Sequence, residues 1–157
     1  MFVRVKNIKG RKYSYLVENE WTPWGSRQRV TKYLGKTHEL ARLADGQKEL
    51  PTGFSEAILG AIAQELSNHG FVEKEGTFYN DTGINVNLSS KTVKHKNKGA
   101  VIGMNEGYLC EHTLNQLLSF QPEERPDKTA TKLANHCLEA GLKLNNDQFL
   151  HIFEQVK

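Results

Sequence analysis

A chain of 157 residues with 38% apolar and 25% charged residues can build one domain with a true core, or two small ones, and is too apolar to be disordered. No apolar run approaches the ~20 residues that span a bilayer. The N-terminus opens on an alternating pattern instead of a signal-peptide core, so a cytoplasmic protein with no membrane contact is expected. The net charge is +3, yet residues 1–36 hold nine Lys/Arg against Glu18 and Glu20, which is +7 there and −4 over the remainder. Such asymmetry suggests that one end meets a polyanion.

Phe2–Ile8 alternates, with Val3 and Val5 on one side and Arg4 and Lys6 on the other. Lys9-Gly10-Arg11 is a turn signal. Lys12–Trp21 reads as a second strand, with Tyr13, Tyr15 and Val17 on one face and Ser14, Leu16 and Glu18 on the other. Thr22-Pro23-Trp24-Gly25-Ser26 reverses the chain. Arg27–Leu34 forms a third strand that Gly35 ends. The expected unit is an antiparallel meander with one apolar face. Its other face shows Arg4, Lys6, Arg27 or Arg29, and Lys32 beside tyrosines. Cations can contact phosphates while rings stack on bases. The same pattern would also serve as a solvated face that keeps sheet edges from aggregating.

The stretch KYSYLVENEW…GSRQRVTKYLGK resembles the N-terminal strand module of DDE-class insertion-sequence transposases, through Tyr13, Tyr15, Leu16, Val17 and Glu18, then Arg27, Gln28, Arg29, Val30, Tyr33, Leu34 and Gly35. It covers about a quarter of the chain. The remainder departs from that family: it is too short for an RNase-H-like core, and Asp45, Asp81, Asp127 and Asp147 assemble no acidic triad on strands. The resemblance therefore implies an accessory nucleic-acid contact without transposase activity. The whole chain also loosely resembles small archaeal proteins that open in this way, from which no activity carries over.

Thr37–Leu50 has partial helical spacing at Leu40, Leu43 and Ala44, interrupted by Asp45-Gly46. Pro51-Thr52-Gly53 marks a boundary between a basic β-meander module, 1–50, and an α+β domain, 51–157, which can still form one compact unit. Ser55–His69 is the clearest helix, with Ser55 as N-cap, Gly70 beyond its end, and Ile58, Leu59, Ile62 and Leu66 as a core stripe. Phe71–Glu75 and Thr77–Asn80 flank Gly76 as a hairpin, and Ile84–Leu88 alternates as a strand. Lys91–Lys98 carries four lysines and His95 without an acid. It reads as a basic hairpin tip, with Asn97-Lys98-Gly99 turning into Ala100–Met104.

The last third is helical. Tyr108–Phe120 would bury Leu109, Leu114, Leu117 and Leu118, with Thr113 and Asn115 toward water. After the Pro122–Pro126 loop, Asp127 would cap a helix that buries Leu133, Cys137 and Leu138 and ends at Gly141. Asn145 or Asn146 would cap a final helix carrying Phe149, Ile152, Phe153 and Val156. These helices suit a small bundle or a partner-binding surface.

Cys110-Glu111-His112 and His136-Cys137 lack the spacing of a zinc knuckle. Both cysteines read as free buried thiols. A thiol–histidine pair lacks a third orienting group, and Glu106 reads as a turn residue. The sequence thus predicts an α+β protein with an N-terminal three-stranded antiparallel meander, a central helix with β-hairpins and a C-terminal three-helix segment. The expected function is non-catalytic nucleic-acid binding, DNA or RNA, with no cofactor and no metal. The expected contacts are Arg4, Lys6, Arg11, Lys12, Tyr13, Tyr15, Trp24, Arg27, Arg29 and Lys32 from the meander, with Trp21 as a further stacking group, and Lys91, Lys94, His95, Lys96 and Lys98 from the hairpin. The alternative is a protein-interaction adaptor that docks a partner on its C-terminal helices.

Overall fold

β-Branched and aromatic residues recur through the first 39 positions, and in a computed structural model, which describes residues 1–156, this segment forms three antiparallel strands. These are β1 (Phe2–Ile8), β2 (Arg11–Thr22) and β3 (Gly25–Glu39). Simple alternation fails along β2, because register shifts fall between Ser14 and Tyr15 and between Leu16 and Val17. A bulge places neighbouring side chains on one side, so Leu16 and Val17 are both buried and Ser14 is buried against Thr37.

β3 does not stop at Gly35. It passes through that glycine at φ +134° and continues to Glu39. Its last four residues pair in parallel with Ala100–Gly103 of β8 (Lys98–Met104). A Cβ on Gly35 would stand 2.2 Å from the Gly99 carbonyl oxygen. Only glycine lets the two backbones approach this closely. That pairing joins the meander to a nine-stranded mixed sheet of order β1-β2-β3-β8-β7-β6-β5-β4, with β9 (Gly107–Leu109) also on β8. The short strands β4 (Val72–Lys74), β5 (Thr77–Tyr79), β6 (Ile84–Asn87) and β7 (Thr92–His95) complete it by successive antiparallel hairpins.

α1 (Phe54–Asn68) begins at Gly53 rather than Ser55, without a side-chain cap. Its apolar stripe, Ala57, Ile58, Ala61, Ile62 and Leu66, is fully buried in the core beside Ile84, Val86, Ile102 and Leu114. Gln64, Glu65 and Asn68 share that buried face, under residues 40–50, which are not helical and instead form an irregular strap. Asn68 accepts from the Gly46 N–H at 3.1 Å and donates to its carbonyl at 3.0 Å, and Gln64 accepts from the Lys48 N–H at 2.9 Å. Leu50 enters the core. The proposed boundary at Pro51 therefore follows a strap packed on the helix of the second module.

The C-terminal helices are α2 (Glu111–Leu118), α3 (Pro126–Glu139) and α4 (Asn146–Glu154). α2 is shorter than its apolar pattern predicts, because residues 107–109 extend as β9 and Cys110 is the N-cap. Thr113 is buried, not solvated: its hydroxyl accepts from the Cys110 N–H and donates to the Tyr108 carbonyl. α3 starts on Pro126 at its first turn, and Asp127 pairs with Arg125 at 3.0 Å instead of capping. Leu133 and Cys137 face the core as expected, but Leu138 is half exposed. Asn145 caps α4 through the Gln148 N–H, 2.7 Å away.

Candidate functional site

Residues opposite one another on paired strands share a face. The register sets Arg4 opposite Tyr15, Lys6 opposite Tyr13, Tyr15 opposite Tyr33, and Tyr13 opposite Lys36. These six residues line one side of the meander. The Tyr33 ring packs 5.2 Å from Tyr15 and 6.5 Å from Tyr13, and the Lys6 ammonium sits 5.0 Å over Tyr15. Burial, with Tyr15 and Tyr13 close by, pushes the Tyr33 hydroxyl pKa up. It is therefore a neutral donor beside the lysines.

This face runs into a groove of about 660 Å³ where β3 meets the β7–β8 hairpin and the start of α2. Lys32 and Lys36 reach it from β3, Lys96 and Lys98 from the hairpin, and Glu111 is the one carboxylate in its wall. The hairpin turn lies at Lys96-Asn97, both at positive φ, and not at Asn97-Lys98-Gly99. Lys98 is therefore the first residue of β8, opposite His95. Gly35 and Gly99 bring the two basic segments together at the groove floor.

Two histidines stand in the same wall, His38 from β3 and His95 from β7, with ring centroids 4.7 Å apart. The His95 Nε2 lies 3.1 Å from the Thr82 carbonyl, which orients the ring. The His38 Nε2 is buried without a partner. Burial, then His95 and Lys36, hold the His38 pKa below its ordinary value. His38 is accordingly neutral near pH 7, and acidification adds a positive charge to the groove. Anion affinity is expected to rise as pH falls below the ordinary histidine value of about 6.5, and more steeply than in His38→Gln. For folding the sign is opposite. The depressed native pKa means the unfolded chain binds the proton more readily, so this histidine's contribution to stability falls as pH drops below its ordinary value.

Several expected contacts lie elsewhere. Arg27 pairs with Glu20 at 3.4 Å and Arg29 with Glu18, across the far part of the β2–β3 hairpin. Lys12 pairs with Glu39 at 2.6 Å, beside exposed Arg11. Lys91 sits in the turn at the opposite end of β7 from Lys96. Lys94 faces away from His95, because successive strand residues alternate. Trp24 and Trp21 lie at the hairpin tip, 96% and 84% exposed. Lys36, His38 and Tyr33 belong to the groove but were not selected from the sequence. Lys36 and His38 lie past Gly35, the glycine expected to end the strand, and Tyr33 was visible only as part of the basic strand.

The cysteines offer no reactive thiol. Cys110 and Cys137 are free and buried, and burial pushes the Cys137 pKa up to about 12. Burial raises Cys110 as well. Glu106 is exposed, so it does not join Cys110 in a pocket. Among the described residues no group of three or more His, Cys, Asp or Glu could hold a metal ion. Among the described residues no helix is long and apolar enough to cross a membrane. Comparison with protein-family models, with curated proteins and with solved structures gives no significant match.

Proposed function

We propose that this α+β protein binds nucleic acid without catalysis, holding the phosphate backbone in the groove between β3 and the β7–β8 hairpin. One observation carries the reading. Two basic segments some sixty residues apart in sequence converge there, so that Lys32, Lys36, Lys96 and Lys98 face a single carboxylate, Glu111. The groove continues onto a face where Arg4 and Lys6 flank three tyrosines. Lysines without acidic partners attract phosphates by releasing counterions, and exposed tyrosine edges offer stacking and hydrogen bonds. The resemblance of residues 13–35 to a transposase N-terminal module agrees with this reading. The adaptor reading rests on less: Leu138 and Leu150 are single exposed leucines on separate helices, and such residues are ordinary.

Electrophoretic shift assays with duplex DNA, single strands and structured RNA at low salt test the proposal. Binding is expected for at least one of them. It should fall by roughly a hundredfold or more when Lys32, Lys36, Lys96 and Lys98 are all replaced by Ala. All four lysines are exposed, so the variant should melt like the parent. Failure of every probe to bind, or undiminished binding by the variant, would overturn the groove as the site.

A further inference from the structure

The β2–β3 hairpin outgrows the sheet that supports it. β1 starts at Phe2, opposite Val17, and covers β2 no further toward the hairpin tip. Beyond it five pairs, from Glu18–Arg29 to Thr22–Gly25, bond only to each other. At ~3.4 Å per residue this arm projects about 17 Å. Its tip is well defined. Pro23 fixes φ, Gly25 takes φ +115°, and the Thr22 hydroxyl donates to the Gly25 carbonyl at 2.7 Å while accepting from the Trp24 N–H at 3.2 Å. A free two-stranded ribbon is marginal in water. Here the Glu18–Arg29 and Glu20–Arg27 pairs brace it. The chain's two tryptophans are both on this arm, and both are almost fully exposed. Folding gains almost nothing from them where they stand.

The arm's charges cancel, so its tip does not attract phosphate or anionic lipid. Its chemistry is two flat apolar rings on a projecting stalk. The cations lie at its root, where Lys32 opens the groove three residues after Arg29, and where Arg4 reaches up to Gln28. A ligand serving both ends is polyanionic along its backbone and carries exposed aromatic rings. We infer that Trp21 and Trp24 form a stacking site for unpaired nucleobases, so that the ligand is single-stranded nucleic acid or a strand with unpaired bases, rather than intact duplex. This rests on the groove reading above. A duplex keeps its base faces within the stack, and exposing them costs unstacking energy that a single strand has already met. A lipid-facing tip would instead keep its arginines unpaired beside the tryptophans.

Because no other tryptophan is present, indole emission reports the tip alone. The probes are a single-stranded oligothymidylate, the matching oligouridylate, the oligothymidylate annealed to oligoadenylate, inorganic polyphosphate and phosphatidylserine vesicles. Each is titrated at low salt with emission and binding followed in parallel. Either single strand should bind and quench the emission. Polyphosphate should bind through the groove without quenching, and the duplex should quench less. Trp21→Ala/Trp24→Ala should bind single strands at least about tenfold more weakly and bind polyphosphate unchanged. Single strands that bind while emission stays constant would overturn the stacking site and leave the groove standing. A blue shift on vesicles with no response to oligonucleotides would overturn it in favour of a lipid surface. Absence of binding by every polyanion would defeat the groove reading itself, and the inference with it.

Discussion

Glu65→Ala is expected to lower unfolding stability by about 3–5 kcal/mol, the range for breaking a buried ion pair. Glu65 is fully buried on the same face of α1 as Ile58, Ala61 and Ile62, from which it is spaced by seven, four and three residues. One carboxylate oxygen accepts from the Arg42 guanidinium and from the Asn105 amide at 2.8 Å, and the other accepts from the Lys143 backbone N–H at 3.1 Å. Asn105 also donates to the Gly141 carbonyl at 2.6 Å. One side chain thus ties the strap of residues 40–50, α1, the β8–β9 turn and the α3–α4 connection. Removing it takes the acceptor from the Lys143 N–H and one of two carboxylate partners from the poorly exposed Arg42, which keeps Asp45 at 2.7 Å, and each loss carries a desolvation cost. Urea denaturation reads the effect as a lower midpoint at unchanged slope. Lys12→Ala removes an exposed pair with Glu39 and is expected to change stability by no more than about 1 kcal/mol. Equal effects from the two variants would contradict the assignment of Glu65 as the central tie.

Gly35→Val is expected to cost about 3 kcal/mol or more and to abolish groove binding together with it. The position combines two obstacles. Its φ of +134° is open to glycine and strained for a β-branched residue, and any Cβ meets the Gly99 carbonyl oxygen at 2.2 Å and its carbon at 2.7 Å. Both clashing atoms are backbone, so no side-chain rotation relieves them. The cheapest response is separation of β3 from β8, which parts Lys32 and Lys36 from Lys96 and Lys98. Gly10→Ala is the control. Its φ is +79°, yet nothing lies within 4 Å of the added carbon, so about 1 kcal/mol and intact binding are expected. Thermal melts and low-salt binding assays on both variants separate strain from loss of the strand junction.

Elements with a local signal were legible in the sequence. The Val3–Arg4–Val5–Lys6 alternation, the stripe on α1, the Glu75-Gly76 turn and the Asn145 cap each depend on residues close in the chain. The burial of Gln64, Glu65 and Asn68 on the core side of α1 was not legible, because the strap groups that satisfy them, from Arg42, Gly46 and Lys48, are about twenty residues away in the chain. The end of β3 was misplaced for a related reason. Glycine usually interrupts a strand, and nothing local reveals that Gly35 is needed for close contact with Gly99, sixty-four residues on. β9 and α2 were merged because Leu109 and Leu114 suit either structure, and only the Cys110–Thr113 capping bonds mark the junction. The basic content of the candidate site was visible as composition. Its selection was not: Arg27, Arg29 and Lys12 are matched by carboxylates on neighbouring strands, whereas Lys36 gains its place from the parallel β3–β8 pairing.

The central claim is that four lysines from two distant segments act together on one polyanion. The most direct measurement is the salt dependence of oligonucleotide affinity for the parent and for the variant with Lys32, Lys36, Lys96 and Lys98 replaced by Ala. Four phosphate contacts on a single strand predict a slope of log affinity against log salt of about −3 for the parent, with most of that slope lost in the variant. Equal slopes for the two proteins, or an affinity indifferent to salt, would contradict the claim.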